Sequence, residues 1–180
     1  RAVVAFSSDV REDARRRDFT MNALYAEATG EVIDPLGTGL VDLAERRVRF
    51  IEDAHARIRE DYLRILRYFR FHAWYGDDAA GLDPETLAAI ATELDGLAGL
   101  SRERVGHEML KLLAAPDPAP AVAGMARTGV LAAVLPGAEA RALAPLVALE
   151  AASGGDPDPV LRLAALAGPE AVATLRLSKA

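Results

Sequence analysis

The sequence contains no cysteine, which removes disulfides, thiolate metal sites and cysteine nucleophiles together. Nothing points to an oxidising compartment, so a cytoplasmic setting is the expectation. No apolar run approaches the ~20 residues that span a bilayer as a helix, and the first residues do not read as a secretion signal. Lysine is nearly missing: Lys111 and Lys179 are the only ones. His55, His72 and His107 are scattered, without the spacing of metal ligands on a helix. The P-loop, Gly-x-Gly-x-x-Gly and Gly-x-Ser-x-Gly patterns are absent, and the first half offers no Asp-x-Asp. No metal ligand and no catalytic residue is therefore assigned within this chain.

What is present supports a folded protein. Of 180 residues, 51% are hydrophobic, enough for a sizeable core. A formal net charge of -6 would ordinarily argue against nucleic acid. The charge is uneven, however: arginines and carboxylates balance from Arg1 to Gly76, and the whole acid excess falls between Asp77 and Ala180. Every basic residue of the first half is arginine, whose planar fork suits phosphates and base edges, although a coding bias toward Arg and Ala would give the same excess. The opening RAVVAF reads as the middle of a strand, so a longer parent protein is expected.

The pattern predicts an α+β chain that is predominantly α-helical. AVVAF reads as a strand, ALYAEATGEVID as a hairpin turning at Thr29-Gly30, and VRFI (Val48 to Ile51) as a further short strand. From Ala54 the pattern becomes helical. ARIREDYLRILRYFRFHAWY places Ile58, Tyr62, Ile65, Leu66, Phe69 and Ala73 on one apolar face of a single helix. Asp83 and Pro84 start a helix running to about Leu97, Ser101 caps the next, and Ala/Leu-rich helices broken by Pro and Gly follow.

Three stretches could carry chemistry. Arg15-Arg16-Arg17-Asp18 reads either as a solvated basic turn with Asp18 capping the next element, or as a nucleotide contact, one arginine on a triphosphate and Asp18 on a ribose hydroxyl. Phe19, Met21 and Leu24 would anchor the following strand. Asp61, Arg64, Arg67 and Arg70 recur every three residues, a band of helical neighbours; Glu60 with Arg64 is an ordinary i,i+4 ion pair, but the three arginines repel one another unless an anion lies along them. A carboxylate only accepts hydrogen bonds and a guanidinium only donates them. Asp61 with Arg64 would therefore match cytosine and adenine, which present an amine beside a ring-nitrogen acceptor, and mismatch guanine and uracil. The third stretch, DPLGTGLVDL, has the Pro and Gly content of a turn that could hinge or approach a ligand closely.

RRDFTMNAL, DPLGTGLVDL, REDYLRILRYFRF and SRERVGHEMLKLL, in this order, resemble the class II, bacterial-type family of CCA-adding tRNA nucleotidyltransferases and poly(A) polymerases, over roughly Val3 to Leu113. The resemblance implies that residues 1–52 are the C-terminal part of a nucleotidyltransferase head, 53–115 a helical neck that binds base and RNA, and 116–180 part of a helical body. It implies that Arg17 contacts the triphosphate and Asp18 the ribose, that Asp61 and Arg64 read the incoming base, and that Arg67 and Arg70 assist. Asp34, Pro35, Gly37, Gly39 and Asp42 would belong to a flexible element between head and neck, and Arg104 and Glu108 would brace the reading helix. ATP and CTP are the implied substrates, tRNA or another RNA 3′ end the partner, and Mg²⁺ the metal, bound by carboxylates upstream of Arg1, so that this chain alone is expected to be inactive. Poly(A) synthesis is the alternative within the family. A non-catalytic helical RNA- or nucleotide-binding module is the alternative outside it. Where the family has Gly-Asp-Pro ahead of the reading helix, this chain has Glu52-Asp53-Ala54, and a different helix entry is expected there.

Overall fold

The computed structural model describes residues 9–168 together with Ala171 and Leu175. The AVVAF strand expected at residues 2–6 lies outside them. Asp9 accepts a hydrogen bond from the Arg11 amide at 2.8 Å and caps helix α1 (Val10–Arg15), with Glu12 and Asp13 in its first turn. A 3-10 turn at Thr20–Asn22 comes next, and β1 (Tyr25–Ala26) then pairs antiparallel with β2 (Val32–Ile33), Tyr25 opposite Ile33. The hairpin turns at the expected place, where Gly30 takes a φ of +89°. The strand expected at Val48 to Ile51 reduces to one bridge between Phe19 and Phe50. Two hydrogen bonds make it, Thr20 N–H to Arg49 O and Ile51 N–H to Asp18 O, after which the 3-10 turn carries its partner away.

Helices form the remainder: α2 (Gly39–Ala44), α3 (Ala54–Glu60), α4 (Leu63–Tyr75), α5 (Pro84–Thr92), α6 (Arg102–Leu113), α7 (Ala119–Arg127), α8 (Val130–Val134), α9 (Leu143–Ser153) and α10 (Pro159–Ala167). None of the described helices is long and apolar enough to cross a membrane. Asp83 caps α5 through the Thr86 amide at 2.8 Å, and Ser101 caps α6 through the Arg104 amide at 3.3 Å, both as the sequence indicates. One apolar core runs from Phe19 and Phe50 through Ile65 and Phe69 of α4 and Met109 and Leu112 of α6 to Leu131 and Leu163. The head-like segment is therefore fused to the helices. Phe19 stands 4.9 Å from both Phe50 and Phe71, centroid to centroid, which stitches the RRRD segment onto α4. At the other end, Arg162 is buried and donates at 2.6 Å to the carbonyls of Leu113 and Ala115 and at 2.8 Å to Glu150. It satisfies orphan carbonyls at the end of α6 while tying in α9 and α10.

The single helix expected from Ala54 to Tyr75 is broken in two. Asp61 has extended backbone (φ -156°, ψ 104°), ends α3, and accepts from the Leu63 amide at 3.1 Å. The physical reason is that a short carboxylate bonds to its own neighbouring amide more readily than it tolerates a helix interior. The apolar period is unaffected, because Ile58 from α3 and Ile65, Leu66 and Phe69 from α4 enter the same core. Tyr62, at the break, lies against Gly96, where an added Cβ would come within 2 Å of its ring. Around Gly96 the expected continuation of α5 to Leu97 tightens instead into a 3-10 segment, Leu94–Gly99.

The entry into α3 is strained at Glu52. Glu52 takes a φ of +57°, a left-handed conformation natural to glycine, and Asp53 then caps the helix through the Ala56 amide at 2.7 Å. Glu52→Gly should raise stability by about 1 kcal/mol, and Glu52→Val should lower it. Chemical-denaturation midpoints measure both, and identical midpoints would show that the turn holds no strain.

Candidate functional site

An open cleft of about 340 Å³ lies where the turn after α1 meets the break between α3 and α4. It is lined by Arg16, Arg17, Asp18, Asn22, Asp61, Leu63, Arg64, Arg67 and Arg104. Its walls carry five arginines against two carboxylates, an anion-attracting balance in a chain whose net charge is negative. Of the residues singled out for nucleotide contact, Arg17, Asp18, Asp61, Arg64 and Arg67 line this cleft, and Arg70 does not. A larger hollow of about 500 Å³, between residues 47–50 and α5, is lined by none of the six.

Asp18 is 4% exposed and sits at the centre of the local network. Its Oδ2 accepts from Arg67 Nε, and its Oδ1 from the Asn22 side chain at 2.6 Å and the Phe19 amide at 3.2 Å. Burial opposes its ionisation, but the hydrogen bonds from Arg67 and Asn22 outweigh burial and hold its carboxyl below the ordinary range. Arg17, nearly half exposed, donates to the Asn22 carbonyl at 3.1 Å and lies 4.9 Å above the Tyr25 ring. Tyr25 in turn donates to Asp13 at 2.6 Å.

Across the cleft, Asp61 accepts from Arg104 at 2.6 Å, so Arg104 orients the carboxylate at the helix break. Arg64 donates to the carbonyls of Arg57 and Arg16 at 3.0 Å each and to Glu60 at 2.6 Å. Asp61 and Arg64 are thus held by two different sets of partners, and not by helical stacking on one another. The expectation that the arginine band needs an outside anion is corrected in the same way. Arg64 pairs with Glu60 as its i,i+4 spacing indicates, while Arg67 pairs with Asp18 and Arg70 with Glu108, so each arginine is neutralised by a carboxylate of the protein itself. Glu108 is buried on α6 and stands 2.8 Å from Arg70, a contact that clasps α4 to α6.

DPLGTGLVDL lies beside this site and outside the cleft. Asp34 accepts from the Gly37 and Leu40 amides at 2.9 and 3.0 Å and so builds the turn through Pro35 into α2. Gly39 packs so closely on the Thr20 carbonyl that a Cβ would come within 2.6 Å of it. Asp42 is fully buried, accepts from Thr20 Oγ1 at 2.5 Å, and receives a two-pronged contact from Arg49, Nε at 3.1 Å and Nη2 at 2.9 Å. Two participants are not evident from the sequence: Asn22, which lines the cleft, and Arg57, which donates to the Arg15 carbonyl at 2.8 Å. Asn22, four residues after Asp18, is the more legible of these.

A broad likeness to known proteins joins this geometry to a family. Residues 1–49 match the model of the poly A polymerase head domain, and residues 81–141 that of the probable RNA and SrmB-binding site of polymerase A. The chain belongs to the family of CCA-adding enzymes and poly(A) polymerases. Among its relatives, the human mitochondrial CCA tRNA nucleotidyltransferase 1 is 47% identical over 112 residues, 62% of this chain and 26% of that protein. The CCA-adding enzyme of Geobacillus thermodenitrificans is 42% identical over 134 residues, 74% of this chain and 32% of that enzyme. The crystal structure of the Bacillus stearothermophilus CCA-adding enzyme in complex with CTP superimposes with a TM-score of 0.66 at 34% identity, covering 78% of this chain and 38% of that one. The chain thus spans about a quarter to a third of the length of the curated relatives it matches.

The Asp18–Arg67 pair has a checkable energetic signature. Because the folded carboxyl titrates below its ordinary value of 3.8, its stabilisation is complete above that pH and is lost as pH falls through the lower folded value. Asp18→Asn should cost about 1–3 kcal/mol at pH 7, since Arg67 loses its buried acceptor. The gap to the wild type should narrow on acidification below 3.8. Urea denaturation at pH 7 and pH 3 measures this, and a gap that widens in acid would refute the pairing.

Proposed function

We propose that this chain is the nucleotide- and RNA-holding portion of a CCA-adding tRNA nucleotidyltransferase, working in the cytoplasm with CTP and ATP as substrates and a tRNA 3′ end as acceptor. The observation that carries the reading is the convergence of Arg17, Asp18, Asp61, Arg64 and Arg67, distant in sequence, on one arginine-rich cleft. Arg17 and Arg67 supply charge-assisted donors for phosphate oxygens. Asp18 retains accepting capacity beyond its three protein donors and can take a ribose hydroxyl. Asp61 accepts from the exocyclic amine of C or A while Arg64 donates to the neighbouring ring nitrogen. Guanine and uracil, with a carbonyl and a ring N–H there, would face an acceptor with an acceptor and a donor with a donor.

Both readers are engaged with protein partners before a base arrives. Asp61 must share or exchange Arg104, and Arg64 must share or exchange Glu60 and two carbonyls. Selection therefore works by replacement: a base that restores the lost hydrogen bonds is accepted, and one that leaves them unmade is rejected. Among the described residues no three His, Asp or Glu side chains stand together as metal ligands. In this proposal Mg²⁺ is held elsewhere in the parent enzyme, and none of these steps is routed through it. The poly A polymerase name of the matched head domain supports addition of A alone as the second reading, which CTP incorporation by the parent would exclude.

In the parent enzyme, Arg64→Ala should narrow the preference for CTP and ATP over UTP and GTP by about 10- to 100-fold, the worth of one charged hydrogen bond. Incorporation assays with each nucleotide decide it, and undiminished selectivity would sink the base-reading role. The purified 180-residue chain should bind CTP by calorimetry without transferring it. Mg²⁺-dependent incorporation of labelled CTP by that chain would overturn the division of labour proposed here.

A further inference from the structure

Beyond the cleft, α4 carries a second surface feature that the nucleotide reading leaves unused. Trp74 is 41% exposed and Tyr75 50%, both at the C-terminal end of α4. With Arg70, Lys111 and Ala114 they line a hollow of about 240 Å³. Trp74 is not a loose surface ring: its indole N–H donates to the Lys111 carbonyl at 2.8 Å, which fixes the ring plane against α6. No carboxylate lines the hollow. Glu108 beneath it is buried and shared by two cations, 2.8 Å from Arg70 and 3.8 Å from the Lys111 amine, so the surface above keeps net positive charge.

A chain of side-chain contacts along α4 links this hollow to the cleft. Arg67, a cleft residue, lies 5.6 Å from the Phe71 ring centroid, Arg70 lies 4.9 Å from the same ring, and Phe71 stands 5.6 Å from Tyr75. Cations and aromatic rings thus alternate along α4 from Arg67 to Trp74, about 10 Å of helix. Fixed aromatic faces interleaved with arginine and lysine match the two demands of a single strand, a flat surface for a base and positive charge for the phosphate beside it. An apolar peptide would leave the cations unmatched, and an RNA duplex offers no unstacked base.

We propose that Trp74 and Tyr75 form a stacking platform for an unpaired nucleotide of the RNA acceptor strand as it leaves the cleft, with Arg70 and Lys111 facing its phosphates. The inference rests on the cleft being the nucleotide site, and one measurement separates the two. Trp74 is the only tryptophan in the chain, so its emission reports on its own ring. Titration of the 180-residue protein with an unstructured oligoribonucleotide ending in cytidine should quench that emission, and CTP alone should leave it unchanged. Trp74→Leu should weaken binding of this RNA about 5- to 100-fold with CTP affinity unaltered, while Trp74→Phe retains most of it. Lys111→Gln should lower the salt dependence of RNA binding by about one phosphate contact.

RNA binding without quenching, equal quenching by a duplex of the same length, or full RNA affinity in Trp74→Leu would each overturn the platform. Should Trp74→Leu fail to fold, the wild-type quench and a Tyr75→Ser variant decide in its place. RNA quenching in a protein that binds no CTP would refute the cleft reading and leave the platform standing.

Discussion

The hydrogen-bonded ion pair between Asp18 and Arg67 is the contact on which the rest of the site depends. It joins a turn from the short-stranded N-terminal segment to the middle of α4, and it does so from a position where the carboxylate has almost no access to water. A charge so placed is tolerated only with its partners in position, which makes the pair a condition on the geometry more than a source of net stability. Asn22 and the Phe19 amide complete the shell of Asp18, and Phe19 itself packs on Phe50 and Phe71. Polar and apolar contacts therefore converge on the same few residues, so that the loop holding Arg16 and Arg17 cannot move independently of α4.

The arginines of α4 show how one helix can present cations without self-repulsion. Each is matched to a carboxylate from a different direction: Glu60 from the end of α3, Asp18 from the turn after α1, and Glu108 from α6. The three pairs do different work. Arg70 and Glu108 fasten two helices, Arg67 and Asp18 fasten the segment to the helix, and Arg64 with Glu60 stays at the cleft where partners can be exchanged. Equal spacing in sequence thus conceals unequal roles, because the roles are set by what each side chain meets after folding.

That distinction also marks what the sequence could reveal. Caps were legible: Asp83 before Pro84, and Ser101, bond to the amides expected of them, because a cap is a local contact fixed by neighbouring residues. The hairpin at Gly30 was legible for the same reason. Helix α1 was not, although Asp9 and Glu12 carry the signature of a helix start, since six residues hold too little apolar period to register. The break at Asp61 was hidden by the unbroken apolar period on either side, and only the preference of aspartate for its own neighbouring amides argued against one helix. The cleft was legible as a set of residue types, through the order of the motifs, but not as a set of pairings. Arg104 reaching Asp61 and Arg57 reaching the Arg15 carbonyl are long-range contacts that no spacing encodes.

The contact between Gly96 and Tyr62 has a consequence for where specificity can change. Tyr62 directly follows Asp61, and its ring rests on a backbone position that leaves no space for a side chain. The bearing of the Asp61 carboxylate is thus set from behind, by a glycine in a 3-10 segment that itself lines neither the cleft nor the hollow at Trp74. Under the proposed base-reading role of Asp61, substitutions that alter substrate choice can then arise in a wall remote from the cleft, and a survey limited to cleft residues would attribute them to nothing. Under the same proposal, an evolving lineage has a way to adjust which base is accepted while every residue of the cleft stays as it is.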